Sequence, residues 1–413
     1  MQQLKAFKFK LDPTEEQCIL LNKTFGCVRF VWNQLVEDFN NWNPAIEHIK
    51  VTEKTLKDNP EYSWLNEVSA ASLQQKRRDF DETKHQYFNK QRKKKLGRPK
   101  FKCKGVKESY RLPNQKFHLD QDIAKIRLEK IGDISIILDR IIPSDAIFKS
   151  VTISKDSIVH YYATILVQIN IDLKPLTGRQ VGIDLGLKHL LILSDGQVIN
   201  NPKFFHKNQV ELKKAQQHLS RKQKDSNRRR IQKFKVAKIH KTIKNQRTNF
   251  LHKVSTSLIN NYDIIALEDL NVAGMTKNRK LAKAIQDSSW SSLVSMLEYK
   301  AAWYGKTIVK VERFYPSSKT CSYCGFKLDI LPLSIREWTC PKCDSIHHRD
   351  LNAARNILQQ GKSLLSGEPI QFEHLSKCSS VEYIEYRRGD GVSLNLFSNK
   401  HHLAPSVKRL ENL

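Results

Sequence analysis

Acidic residues are scarce in this sequence of 413 residues, which has 42 Asp and Glu against 71 Lys and Arg and a formal net charge of +29. Such a positive surface attracts polyanions through electrostatic steering and counterion release. The excess alone does not separate nucleic acid from an acidic membrane surface, because both favour clustered Lys and Arg. The motifs must therefore decide between these two partners.

The N-terminal segment lacks a long apolar run. Residues 1–17 alternate charged and apolar groups, whereas a signal peptide or a membrane anchor needs an unbroken apolar stretch. We therefore expect a soluble, cytoplasmic protein with no membrane partner. The chain is also longer than one hydrophobic core usually organises, so we expect two to four structural units.

Cysteine is sparse, and its distribution argues against a disulfide framework, which is typical of short secreted domains. Of the eight cysteines, four are scattered and are interpreted as reduced thiols: Cys18, Cys27, Cys103 and Cys378. The other four form the pattern C-x2-C-x15-C-x2-C: Cys321, Cys324, Cys340 and Cys343. Two such knuckles can close a tetrahedral thiolate site, so the spacing predicts one zinc ion.

This zinc ion is expected to be structural and not catalytic. Four thiolates fill its coordination sphere and leave no position for water. His347 and His348 follow the second knuckle closely. With four cysteines available, we interpret both histidines as contact or packing residues and not as ligands.

The first half of the chain has the pattern of a small β-barrel with a helical insertion near its start. Leu4–Leu11 alternates like a half-buried strand, and the segment from Thr14 to Gln17 has the spacing of a helix capping box. Helix-like runs continue to about residue 92, and short β-rich runs occupy residues 110–174. The basic segment between them is interpreted as a loop that lies against phosphates.

In the second half, three carboxylates adjoin apolar segments. Asp184 lies within the apolar strand 181–186, which is predicted to form a hairpin with 190–193. Glu268 ends the strand 264–267, and Asp350 precedes a helix that begins at Leu351. Carboxylates brought together repel one another unless a hard cation such as Mg²⁺ neutralises them. Two such ions about 3.5–4 Å apart can hydrolyse a phosphodiester, so nucleic-acid hydrolysis is the hypothesis.

Basic residues are concentrated in two places. Residues 206–253 hold 16 Lys or Arg against two acids, and their apolar spacing predicts one long amphipathic helix with a binding face. The candidates for contact with a nucleic-acid backbone are Lys93, Lys94, Lys95, Arg98, Lys100, Lys102, Arg228, Arg229 and Arg230. Isolated aromatic residues such as Phe30, Trp32 and Tyr110 are more often core residues, and we assign them no role.

The motifs resemble those of TnpB, the accessory nuclease of insertion sequences and a relative of compact type V CRISPR effectors. The resemblance is most specific in GIDLG around Asp184, in ALEDLNV around Glu268, and in YPSSKTCSYCG and WTCPKCDSIHHRDLNAARNI, which contain the cysteines and Asp350. It extends weakly to FKFKLDPTEEQ, SLQQ, GRPKFK and SNRRR. Asn249 stands where the family usually has an acid, and the tail from about residue 378 matches nothing.

This resemblance implies an α+β multidomain fold. A wedge-like β-barrel (1–12 and 109–174) would contain a helical recognition insertion (13–108). An RNase H-like, RuvC-type α/β nuclease domain (178–317 and 347–365) would contain a zinc ribbon (318–346), with a tail at 378–413 that is expected to be partly disordered.

The resemblance also implies the activity, an RNA-guided DNA endonuclease. Its guide RNA would come from the transposon end, and its target would be double-stranded DNA beside a short adjacent motif. Asp184, Glu268 and Asp350 would hold two catalytic Mg²⁺ ions, and this one site would cut both strands. The four cysteines would hold one zinc ion. Association with the nucleoid would follow from DNA binding.

Two other functions remain open. A strand-transferring transposase can have the same fold and an acidic triad, but the order Asp, Glu, Asp and the ribbon directly before Asp350 favour a nuclease. An RNA-guided repressor that has lost cleavage usually lacks a carboxylate, whereas all three are present here.

Overall fold

The computed structural model describes residues 2–42, 51–89, 91 and 97–370. Three of the predicted contact residues, Lys93, Lys94 and Lys95, lie outside the described residues, as do Cys378 and the segment 378–413. Among the described helices, none combines the length and the apolar character that crossing a membrane requires.

A seven-stranded antiparallel sheet forms the first half of the protein. Its strands are β1 (Gln2–Asp12), β2 (Glu108–Pro113), β3 (Phe117–Asp120), β4 (Lys125–Leu128), β5 (Gly132–Ile137), β6 (Ile147–Lys155) and β7 (Tyr161–Asn170). They pair in the order β2-β6-β7-β1-β5-β4-β3. The edge strands β2 and β3 are joined by a single 3-10 turn, Asn114–Lys116. Because so short a connection draws the two edges together, the sheet is a nearly closed barrel.

Helices are inserted between β1 and β2, as the sequence pattern predicted. They are α1 (Glu15–Asn41), α2 (Glu53–Asp58) and α3 (Ala70–Phe88), with a 3-10 segment at Pro60–Glu67. The Thr14 capping box is confirmed: Thr14 Oγ1 accepts from Gln17 N at 3.3 Å, and Gln17 Oε1 accepts from Thr14 N at 3.1 Å. Trp32 and Tyr110 are buried in the core that α1 shares with the barrel.

A second sheet of five strands follows. Its strands are β8 (Gln180–Leu185), β9 (His189–Leu193), β10 (Val198–Asn200), β11 (Ile264–Glu268) and β12 (Thr307–Val311), in the order β10-β9-β8-β11-β12. The predicted hairpin of β8 and β9 is confirmed, and β8, β11 and β12 run parallel. Parallel strands require crossover connections, which here are helical.

The crossovers contain α4 (Phe204–Ser220), α5 (Asn227–Asn261), α6 (Val272–Met275), α7 (Ala282–Ser288) and α8 (Trp290–Tyr304). The prediction of one long helix across 206–253 is wrong, because α4 and α5 are separate helices that pack together. Asp225 between them has a φ of 65°, and the Ser226 hydroxyl accepts from Arg229 N at 3.1 Å and caps α5. An N-cap residue has non-helical backbone angles, so one helix cannot run through Ser226.

The four clustered cysteines lie on either side of β13 (Glu337–Thr339), which pairs with β14 (Ile346–His348). Strand β14 leads without a break into α9 (Arg349–Ser366), which packs across the second sheet. The cysteine-rich segment is therefore joined directly to the helix that contains Asp350.

Candidate active site and metal centre

Two of the three predicted carboxylates lie side by side at the ends of parallel strands. In the register of β8 and β11, Ile183 is opposite Leu267, so the next residues along each strand are Asp184 and Glu268. Side chains at matching positions of neighbouring parallel strands point to the same face of a sheet. The strand pairing therefore brings these two carboxylates together at one edge.

Two glycines allow α9 to lie directly on this sheet. A Cβ atom at Gly182 would lie 2.1 Å from the Ala354 carbonyl oxygen, and one at Gly361 would lie 2.5 Å from the Ala266 Cβ. Gly182 is two residues before Asp184, so it belongs to the same face of the sheet. Helix α9 covers that face, and Asp350 is one turn before Ala354, in the first turn of the helix.

The pKa of Asp184 responds to the other two carboxylates. Burial raises the pKa of Asp184 from 3.8 to about 7, and the negative charges of Glu268 and Asp350 contribute to the increase. Arg349 and Arg336 act in the opposite direction. Burial also raises the pKa of Glu268. Half-buried carboxylates that repel one another are typical of a site that binds a divalent cation.

Arg336 neutralises one of these carboxylates. Its guanidinium donates to both oxygens of Asp350, at 3.0 and 3.2 Å. Within the described residues, the three carboxylates do not form a tight cluster of ligand atoms like that of the cysteines. The structure thus brings all three to one place without closing a coordination sphere. Arg336 was not predicted, since no local sequence signal marks its partner.

The four cysteines, in contrast, form a compact group. Their sulfur atoms all lie within 4.8 Å of one another, with 3.6 Å between Cys321 and Cys343 and 3.5 Å between Cys324 and Cys340. A tetrahedral site with Zn–S bonds of about 2.3 Å has sulfur atoms about 3.8 Å apart. The four cysteines therefore fit one structural zinc ion.

His347, predicted to be a contact or packing residue, both packs and contacts a cysteine of the cluster. Its ring lies between Tyr323 and Trp338, with centroid distances of 5.4 and 4.7 Å. Its Nε2 atom also lies 3.0 Å from the Cys321 sulfur. Because a metal-bound thiolate can only accept a hydrogen bond, the imidazole N–H is the donor in that state. The sequence signal that could have indicated this contact was the position of His347, four residues after Cys343 and on the strand that follows the second knuckle.

Three predicted basic residues, Arg98, Lys100 and Lys102, lie in the described segment 97–102. Lys100 is exposed, and its carbonyl oxygen accepts from Trp32 Nε1 at 2.9 Å. The Arg98 guanidinium lies 5.0 Å from the centre of the Phe39 ring, and the Lys102 ammonium lies 3.5 Å from the Trp32 ring. Burial and then the charge of Lys76 lower the pKa of Lys102 to about 8.

The three arginines at the start of α5 have different surroundings. Arg229 donates to the carbonyl oxygens of Leu219 and Lys222, at 2.9 and 3.0 Å, and so caps the end of α4. Arg228 and Arg230 are exposed. Of the three arginines, Arg228 and Arg230 are therefore the ones that the described structure leaves open to solvent.

Three family models match the chain: "Probable transposase" at residues 164–279, "Cas12f1-like, TNB domain" at 290–357 and "Helix-turn-helix domain" at 1–43. In the third region, the described residues form strand β1 and the single helix α1.

Two bacterial relatives match nearly the whole chain. A "Putative RNA-guided DNA endonuclease" of Streptomyces pristinaespiralis is 39% identical over 370 residues, covering 87% of this chain and 90% of the relative. "Putative RNA-guided DNA endonuclease InsQ" of Escherichia coli K12 is 32% identical, covering 93% and 99%.

Among solved structures, a Cas12f1–sgRNA–target DNA complex matches with a TM-score of 0.51 and 14% identity, covering 86% of this chain and 98% of that chain. This likeness shows the fold, a Cas12f1-like α+β architecture. The motifs around the carboxylates and cysteines, together with relatives that are similar over almost their full lengths, lead to one assignment. The chain belongs to the TnpB family.

Proposed function

We propose that this protein is an RNA-guided DNA endonuclease of an insertion sequence. It would bind a guide RNA derived from the transposon end and cleave double-stranded DNA beside a short adjacent motif. The observation that carries the proposal is the convergence of Asp184, Glu268 and Asp350 at one edge of the second sheet. The names of both bacterial relatives support it.

The domain assignment is part of this proposal. The barrel would be the wedge domain, and helices α1–α3 would form the recognition insertion. The sheet order β10-β9-β8-β11-β12, with β9 antiparallel to β8, supports an RNase H-like, RuvC-type nuclease domain. The segment 318–346 would be the zinc ribbon, although β14 continues its hairpin to His348.

In the proposed mechanism, the three carboxylates would hold the metal ions, and Arg336 would compete with those ions for Asp350. When bound, two Mg²⁺ ions would activate the attacking water and stabilise the leaving oxygen of the phosphodiester. Asp184 and Glu268 are half-buried, and partial removal from water strengthens the charge interactions between them. The oxygen-only donor set fits Mg²⁺, and the four thiolates fit zinc.

Nucleic-acid binding would rest on the basic surface. A guide RNA and a DNA target present two sets of phosphates, and the net charge of +29 suits both. In guided recognition, base pairing reads the sequence while the protein contacts the backbone and a short flanking motif. The exposed residues Lys100, Arg228 and Arg230 are the strongest candidates for these contacts. Such a protein would act in the cytoplasm, at the nucleoid.

The test is to express the protein with its native locus, sequence the RNA that copurifies, and offer Mg²⁺ and plasmids that carry the matching target beside randomised flanks. Guide-matched cutting with one enriched flank is expected. Bound RNA without cutting would instead indicate a repressor. Joined DNA products formed without a guide would indicate the strand transferase that the description "Probable transposase" suggests.

A further inference from the structure

The loop between β12 and the first cysteine pair lies beside both candidate metal sites. Within it, Ser317 is buried and its hydroxyl donates to Glu268 Oε1 at 2.7 Å. An ionised carboxylate accepts hydrogen bonds and cannot donate them, so the serine must supply the proton. This bond engages one carboxylate oxygen and leaves the other available to a cation.

Helix α9 holds this loop in place through two buried asparagines. Asn356 donates to the carbonyl oxygens of Ser317 and Thr320, at 2.7 and 2.6 Å. Asn352, one turn earlier, donates to Thr320 O at 2.7 Å and accepts from Ser322 N at 3.0 Å. Releasing the loop would leave buried polar groups unpaired, which is costly. The backbone at Ser317 is therefore fixed relative to α9.

These contacts form one continuous network. Helix α9 begins with Arg349 and Asp350, holds the loop through its asparagines, and reaches Glu268 through the Ser317 hydroxyl. The same loop continues into the first cysteine knuckle at Cys321. Glu268 and the start of the zinc site thus share one set of hydrogen bonds, and Asp350 lies on the helix that anchors them.

We propose that Ser317 is a positioning residue of the carboxylate site, which fixes the orientation of Glu268 for metal binding and is itself held by Asn352 and Asn356. The inference rests on the proposed function, because it takes Glu268 as a metal ligand. Hydrogen bonds to ligating carboxylates restrict their rotation, and loss of such outer partners typically weakens metal binding by about 10–100-fold. Ser317 does not touch the substrate in this account.

The experiment measures Mn²⁺ binding to the purified, zinc-loaded full-length protein by electron paramagnetic resonance of the free ion. Asp184→Ala defines the carboxylate site, since binding that persists in this variant belongs elsewhere. Ser317→Ala is expected to weaken the Asp184-dependent binding about tenfold. Ser317→Thr retains the hydroxyl and is expected to restore most of the affinity.

The neighbouring Ser318 provides the matched control, because its side chain forms no hydrogen bond within the described part of the chain. Ser318→Ala should bind Mn²⁺ like the wild type. Zinc content should be unchanged in Ser317→Ala, and the thermal midpoint should fall by no more than the loss of one hydrogen bond explains, which separates positioning from loss of structure. If that variant does not fold, Ser317→Cys, which has a slightly larger side chain and only a weak donor, should show the same weakening.

Wild-type Mn²⁺ affinity in Ser317→Ala, with binding lost in Asp184→Ala, would overturn the positioning role and leave the proposed function intact. Wild-type Mn²⁺ binding in Asp184→Ala would mean that the carboxylates do not form the metal site. In that case the proposed function fails first, and this inference fails with it.

Discussion

The two candidate metal sites of this protein are assembled in different ways. The four cysteines lie within 23 residues of sequence, from 321 to 343, and their sulfur atoms are already within 4.8 Å of one another. The carboxylates come from two strands and a helix spread over residues 184–350, and Arg336 pairs with one of them. A local site depends on its own loops, whereas a distributed site depends on how the sheet and helix pack.

The largest expected effect is on DNA cleavage, which should be lost when the carboxylate site is changed while the cysteine site stays intact. Asp184→Ala should reduce guided DNA cleavage by about three orders of magnitude or more, because metal ions contribute several kcal/mol of transition-state stabilisation. Zinc content and guide RNA binding should stay unchanged. Single-turnover cleavage and metal analysis provide the measurements.

Glu312 is the matched control for this variant, since it is an exposed carboxylate just beyond the end of β12, which lies two strands away from β8 in the same sheet. Glu312→Ala should cleave like the wild type. Equal loss of activity in both variants would argue for a general charge effect at this edge and against a specific role for Asp184.

The next largest effect is expected on zinc content, which should depend on the cysteine site and not on the carboxylates. Cys321→Ser should reduce the zinc content well below one ion per chain and lower the thermal midpoint, because structural zinc contributes folding free energy. Cys103→Ser changes an exposed cysteine outside the cluster and should retain the zinc. Plasma mass spectrometry measures the content; a full zinc complement in Cys321→Ser would disprove the four-thiolate site.

A substitution where α9 contacts β8 should disturb the carboxylate site and leave the cysteine site unchanged. In Gly182→Ala, the added methyl group meets the Ala354 carbonyl oxygen at 2.1 Å and Leu358 N at 2.6 Å, and backbone atoms cannot move aside easily. We expect a loss of about 1–3 kcal/mol in the free energy of unfolding, together with reduced cleavage and unchanged zinc content.

Urea unfolding measures this loss. Gly26→Ala is the control, because a Cβ atom there meets nothing within 4 Å and alanine favours a helix. Wild-type stability and cleavage in Gly182→Ala would show that the close approach of α9 to β8 is not required.

The smallest effect tests a junction outside both sites, where Asp156 of the barrel meets Lys241 of α5 at 2.7 Å. Burial opposes ionisation of Asp156, but hydrogen bonds from Lys241 and from the His160 and Ile158 backbone outweigh it and hold the pKa below 3.8. A pKa lowered by folding gives stability that is present above about pH 4 and is lost as the pH falls through the folded value.

Asp156→Asn should therefore lower the free energy of unfolding by about 1–2 kcal/mol at pH 7, and the difference from the wild type should shrink below pH 4. Urea midpoints measured across this range test the sign. A difference that grows on acidification would contradict the account. Neither zinc content nor cleavage chemistry should depend on this pair.

Much of the fold could be predicted from the sequence because its signals are local. The Thr14 capping box, the β8–β9 hairpin and the paired cysteines each depend on residues close together along the chain. The break between α4 and α5 also had a local signal, the Asp225-Ser226 turn and cap, which the one-sided charge of the segment obscured.

The remaining features depend on tertiary packing. Arg229 resembles its two neighbours in sequence, yet it caps α4 because the two helices fold back on one another. Ser317 reaches Glu268 across 49 residues, and no periodicity or spacing indicates such a bond. For the same reason, the three carboxylates could be proposed as a set from their flanking strands, but the pairing of Asp350 with Arg336 could not.

The most direct test of the account is anomalous scattering from crystals of the full-length protein with guide RNA and target DNA, grown with Mn²⁺ and measured at the manganese and zinc edges. We predict a zinc peak among the four cysteine sulfur atoms and a manganese peak among Asp184, Glu268 and Asp350. Manganese bound elsewhere, with none at these carboxylates, would contradict the assignment of the active site.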